Sequence, residues 1–107
     1  FKVDVVRDRA ALARIAAGGK IENVYRLQVM NATEQAQTYR ISAEGMEGLA
    51  LASEEAVTVD SAQSRWVPVR LQVPYGSAEP GSHPIRFHIA VEGGAAVTEK
   101  SVFLMPR

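Results

Sequence analysis

Cysteine is absent from the 107 residues. That excludes disulfides, thiolate zinc sites, cysteine-ligated iron–sulfur clusters and cysteine nucleophiles from this stretch of chain. An excess of either charge sign is also missing, because twelve Lys and Arg balance twelve Asp and Glu. With no global field to draw in a polyanion, a nucleic-acid partner is not expected. No apolar run approaches the roughly 18 residues that cross a bilayer. Histidines number two, aromatics make up 7%, and Trp66 is the single tryptophan. Neither a Ser-His-Asp order nor a glycine-rich phosphate cradle occurs. No catalytic residue is predicted.

What is present is a folded-domain composition, with 47% hydrophobic and 22% charged residues. The length suits one domain that buries about two-thirds of its unfolded surface without metal or disulfide support. The sequence opens at Phe1 without a methionine or a signal-peptide charge pattern. We therefore read residues 1–107 as a single domain cut from a longer protein.

Period-two alternation dominates the chain. Val3 and Val5 open it as a strand. Tyr25, Leu27 and Val29 place apolar groups on one face, against Arg26 and Gln28 on the other. Asn31-Ala32-Thr33-Glu34 reads as a polar turn in which the asparagine bonds its own backbone. Tyr39, Ile41 and Ala43 resume the alternation, so residues 24–45 predict two strands that face one core. Leu49 and Leu51, then Val57 and Val59, predict short strands. Val67, Val69, Leu71 and Val73 give the cleanest alternation. Pro68 lacks an amide hydrogen, so this strand is expected at an edge or with that side unpaired. Residues 74–82 form a turn-rich crossing, after which Ile85, Phe87, Ile89 and Val91 face inward. Gly93-Gly94 signals a two-residue hairpin, and residues 95–105 return as the last strand. Residues 10–17 stay open between a short helix, favoured by alanine, and an extended run, favoured by their β neighbours.

About seven short strands, with turn signals every 8 to 12 residues or so, predict an all-β fold, an immunoglobulin-like antiparallel β-sandwich. Each fully buried Val or Leu contributes about 1.5–3 kcal/mol to such a core.

The polar candidates each have a structural alternative. His83 and His88 are the only imidazoles; five apart on a strand they point to opposite faces, which argues against one shared metal. His83 also stands where a sandwich corner residue bonds back to the preceding loop. Met30, Met46 and Met105 lack the clustering of a Cu(I) site and suit packing. Glu54, Glu55 and Asp60 read as solvated loop carboxylates. Asn31-Ala32-Thr33 matches an N-glycosylation acceptor by pattern alone. Trp66, with Arg70 and Gln72 on the polar phase of the same strand, is the candidate interaction face, since Trp and Arg lead among interface anchors. Trp66 could equally cap an open end of the sandwich.

Four stretches go further. VDVVRDR at 3–9, IENVYRLQVMNAT at 21–33, PGSHPIRFHI at 80–89 and EKSVFLMP at 99–106 span nearly the whole chain in order. Together they resemble the C-terminal domain of FixG/CcoG proteins, including Asp8-Arg9, Asn23-x-Tyr25 and Glu99-Lys100-Ser101. The resemblance implies a bacterial inner-membrane parent with several spans and ferredoxin-like cysteine motifs that hold [4Fe–4S] clusters. Such a parent acts in assembly of cbb3-type cytochrome c oxidase and reduces Cu(II) to Cu(I) for its copper centre. It further implies an immunoglobulin-like domain in the periplasm, tethered to the inner membrane through that parent. None of the cluster cysteines is here, so the resemblance predicts no cofactor in this domain and a non-catalytic accessory role. The expected partner is a protein, an oxidase subunit or an assembly factor. Two other readings stay open: a copper-binding or relay domain using His83, His88 and a methionine, and a carbohydrate-binding or adhesin-like sandwich.

Overall fold

The computed structural model describes residues 1–8 and 14–107. Among these, nine strands form two antiparallel sheets. The first sheet runs in the order β1 (Lys2–Arg7), β3 (Lys20–Met30), β7 (Ser64–Pro74), β5 (Ala50–Leu51), with β2 (Arg14–Ile15) also paired to β3. The second runs β6 (Ala56–Val59), β4 (Gln37–Glu44), β8 (Gly81–Val91), β9 (Ala96–Met105). Seven strands have four residues or more; β2 and β5 have two each. The immunoglobulin-like sandwich read from the sequence is the fold observed. Part of the 10–17 segment lies outside the described residues. The rest is extended at Arg14–Ile15 and then closes a short 3-10 turn at Ala17–Gly19.

Alternation builds the core directly. Ile21, Tyr25, Leu27 and Val29 from β3 and Val67, Val69, Leu71 and Val73 from β7 point inward from one sheet. Tyr39, Ile41, Ile85, Phe87, Ile89 and Phe103 meet them from the other. Tyr25 packs edge-on against Phe87 at 5.1 Å between ring centroids, and Tyr39 packs against Phe1 at 4.8 Å. Edge-to-face rings add attraction beyond the area they bury.

The strands β3 and β4 face one core, as expected, but from opposite sheets, so the turn between them crosses the sandwich. Asn31 shapes this crossing. Its side-chain oxygen accepts from the Thr33 amide at 2.9 Å and the Thr33 hydroxyl at 2.7 Å. Its amide nitrogen donates towards the carbonyls of Gln35, Val59 and Asp60. The self-bonding predicted for Asn31 is therefore present, but with a reach to the start of the β6–β7 loop as well. Pro68 is accommodated by direction. Arg70 turns its backbone away from β3, towards Ala52 and Ser53. Pro68, two residues earlier, turns the same way, beyond the short β5, where no ladder hydrogen bond is lost. Gly93-Gly94 departs from expectation: the β8–β9 connection takes residues 92–95, and only Gly93 has positive φ, at 72°. The bond from the Gly94 amide to the Val91 carbonyl closes a wider turn than a two-residue hairpin. Gly45 ends β4 at φ 127°, where a Cβ would stand 2.8 Å from the Pro84 carbonyl oxygen.

The two sheets are also joined by hydrogen bonds. Asn23 and Tyr25 occupy the inward phase of β3. The Asn23 amide donates to the Leu104 carbonyl at 3.1 Å and its oxygen accepts from the Leu104 amide at 2.8 Å. The Tyr25 hydroxyl donates to the Val102 carbonyl at 2.8 Å. Leu104 and Val102 direct these groups away from β8, so Asn23-x-Tyr25 clasps the free edge of β9. Replacing Asn23 by Ala orphans two backbone groups and should cost about 2–3 kcal/mol, lowering Tm by roughly 10 °C. Tyr25→Phe orphans one and should cost about half as much. Thermal unfolding followed by circular dichroism checks both.

Candidate functional site

The outer face of the first sheet carries the residues singled out for interaction. Trp66, Arg70 and Gln72 all lie on the outward phase of β7, but the structure divides them into two groups. Trp66 stands opposite Gln28 on β3, 49% exposed, with the Arg26 guanidinium 5.5 Å from its ring centroid. It therefore lies on the face of the sheet and does not cap an end. Pro68 and Val6 lie in register on either side of Arg26 and extend the apolar surface around it.

Arg70 and Gln72 serve a different neighbour. Glu22, on the outward phase of β3, is only 1% exposed. Gln72 donates to its carboxylate at 2.8 Å, and the Arg70 guanidinium sits 3.6 Å from the same oxygen. Arg70 also donates to the Ala52 carbonyl next to β5. A buried carboxylate needs such partners, because desolvating a charge without them is expensive. Arg70 and Gln72 thus stiffen one end of the face, while Trp66 and Arg26 remain available at the other. Sequence reading missed Glu22 and Arg26. Alternation marks Glu22 as outward, and nothing local reveals that it is covered. Arg26 is visible as an outward cation but acquires meaning only through its cross-strand relation to Trp66.

The histidines are on opposite faces. His83 donates to the Glu79 carbonyl at 2.6 Å and ties the start of β8 to the loop before it. His88 lies on the outer face of the second sheet, with Nδ1 2.9 Å from the Thr98 hydroxyl and Nε2 2.8 Å from Glu44. No group of three His, Asp or Glu side chains gathers to hold a metal among the described residues. Met105 is core, Met46 packs against the core, and Met30 is half-buried. Glu54, Glu55 and Asp60 are exposed; Asp60 lines a shallow groove with Gln63 and Arg65 and no second carboxylate. Asn31 is 3% exposed with its side-chain oxygen and nitrogen engaged, so the glycosylation pattern falls on a closed side chain.

A family model described as "IG-like fold at C-terminal of FixG, putative oxidoreductase" matches residues 1–106. The chain belongs to the FixG C-terminal immunoglobulin-like domain family. Among solved structures, a FixG-related protein from Vibrio parahaemolyticus superimposes with a TM-score of 0.87 at 24% identity, over 97% of this chain and 94% of that one. The cupredoxin domain of amoB from Nitrosocaldus yellowstonii gives 0.56 at 12% identity, over 82% and 56%. A family 123 glycoside hydrolase from Clostridium perfringens gives 0.53 at 6% identity, over 97% and 27%. At these identities the structural likeness is one of fold. No curated protein matches the sequence.

Two buried phenols give this FixG_C domain an alkaline limit. Burial raises the pKa of Tyr25, and the nearby Arg7 offsets this only in part; burial raises Tyr39 as well. Both stay protonated in the folded chain after the unfolded chain has begun to ionise. Stability should be complete below pH 10 or so and fall as the pH rises further, by up to about 1.4 kcal/mol per unit for Tyr25. The Tyr39 hydroxyl, moreover, has no hydrogen-bond partner among the described residues. Tyr39→Phe should leave Tm at pH 7 unchanged or slightly higher and flatten the alkaline decline. Denaturant unfolding at a series of pH values measures both effects.

Proposed function

We propose that this domain is a non-catalytic docking module of a FixG-type membrane protein, working on the periplasmic side of the bacterial inner membrane. In this reading the parent protein carries the redox chemistry on [4Fe–4S] clusters held elsewhere, with Cu(II) as its substrate. The domain positions that parent against a protein partner during assembly and copper supply of cbb3-type oxidase, either an oxidase subunit or an assembly factor. Family membership supports the link to FixG. The observation that carries the docking role is the half-exposed Trp66 beside Arg26 on the outer face of the first sheet. An aromatic ring and a guanidinium on a rigid sheet lose little conformational freedom when a partner covers them. Glu22, held by Arg70 and Gln72, keeps the adjoining strands in place.

The test separates anchoring from folding. Trp66→Ala, made in the full-length parent with Arg70 left intact, should lower cbb3 oxidase activity several-fold. Trp66 is outside the core, so Tm of the domain should move by no more than about 2 °C. Full oxidase activity with Trp66→Ala would remove the proposal.

A further inference from the structure

We infer that a second copy of this chain covers the Trp66 face, in a two-fold dimer that exchanges Asp4 and Arg26 between the copies. This dimer rests on the reading of that face as a docking surface and adds an occupant to it: the domain's own copy, which an outside partner displaces.

The register of the first sheet lays out the face. Asp4, Gln28 and Trp66 stand in one row across β1, β3 and β7, and Val6, Arg26 and Pro68 stand in the next. Val6 and Trp66 are 39% and 49% exposed, and Pro68, Asp4 and Arg26 are exposed with them. Asp4 and Arg26 are diagonal neighbours of opposite charge, within reach of each other for long side chains. They do not meet. Arg26 leans the other way, its guanidinium 5.5 Å from the Trp66 ring on β7. Neither residue belongs to an ion pair among the described residues, whereas Arg70 on the same face is paired with Glu22. A stacked guanidinium and a separate carboxylate are both left for a group from outside.

A second copy supplies both groups at once. Asp4, Val6, Arg26 and Gln28 mark the corners of a rectangle, with Asp4 and Arg26 at opposite corners. A two-fold axis lying in the interface, roughly along the Val6–Gln28 diagonal, exchanges the other two corners. Each Asp4 then faces the Arg26 of the other copy, and one favourable contact is made twice. The same axis runs through Val6 and passes beside Trp66, so apolar surface meets apolar surface along it. Paired rings attract beyond the area they bury. The chain as a whole carries twelve cations and twelve anions, so two copies approach without net repulsion. An anionic lipid surface calls for clustered cations, and here Asp4 interrupts the row of Lys2 and Arg26. Three strands about 15 Å wide and 35 Å long bury on the order of 500 Å² per copy. That is the low end for a specific interface, so the dimer is weak, with a Kd on the order of 100 µM.

Sedimentation equilibrium of the isolated chain, from micromolar to millimolar concentration, is the measurement. The mass should rise towards a dimer, and the emission of Trp66, the single tryptophan, should shift in parallel. Trp66→Ala should leave a monomer. Asp4→Lys or Arg26→Glu alone brings like charges together and should weaken association roughly tenfold or more. The two exchanged together should restore it to within about threefold of the original. Arg86→Glu, on the outer face of the second sheet, should change nothing. All four positions are exposed, and an unchanged Tm shows that each variant folds. A chain that stays monomeric at millimolar concentration, a double exchange no better than the single ones, or equal loss with Arg86→Glu would each overturn the inference. A monomeric chain whose parent still loses oxidase activity with Trp66→Ala would leave the docking role standing without the dimer.

Discussion

Three hydrogen bonds hold the two sheets of this FixG_C domain in register where no covalent link exists. Asn23 and Tyr25 reach from β3 across the sandwich to the outward backbone of β9. Antibody domains join corresponding layers with a disulfide, which a chain without cysteine cannot form. Apolar contact alone would leave the layers free to slide, because burial is nearly indifferent to direction. The amide of Asn23 is not indifferent: it fits Leu104 with both its donor and its acceptor, and a shift of one residue would present neither. Register between the two sheets depends on that fit.

The same clasp explains the unequal condition of the β9 edge. Leu104 and Val102 are shielded from edge pairing, while the stretch near Lys100 is left with a charge as its guard. Sheet edges in small sandwiches are a standing hazard, and this one is closed at one end by bonding and moderated at the other by electrostatics. The outer face of the first sheet shows a similar division. Arg70 and Gln72 are drawn inward by Glu22, so the chemically similar Arg26 is the cation left beside Trp66.

Much of this architecture could be read from period-two patterning. Core residues on β3, β4, β7, β8 and β9 alternate as their sequences suggest, because a half-buried strand has only two faces to distribute. Asn31 was legible as the head of a polar turn, while Asn23, in phase with Tyr25 on β3, passed unread as an inward polar residue that requires a partner. The partner itself was not legible. Leu104 is 81 residues from Asn23, and strand pairing across that distance is decided by the whole core. The β3–β4 connection misleads for a related reason: an Asn-led turn looks local, yet Asn31 is organised by Val59 and Asp60. The proposed docking face was half visible. Its phase on β7 followed from alternation, but the diversion of Arg70 to Glu22 required knowing that Glu22 is covered. Gly93-Gly94 signals a tight hairpin by composition, but only one of its glycines takes the left-handed conformation.

The path of β1 has a mechanical consequence. It runs alongside β9 in the same direction, so the chain enters β1 and leaves β9 at opposite ends of the sandwich. Tension between those ends would load β1 lengthwise against β3, through six residue pairs at once. Such shear must break the bonds together, whereas a pull across the strands would open them singly. Under such a pull the first strand would be held by its six residue pairs acting together.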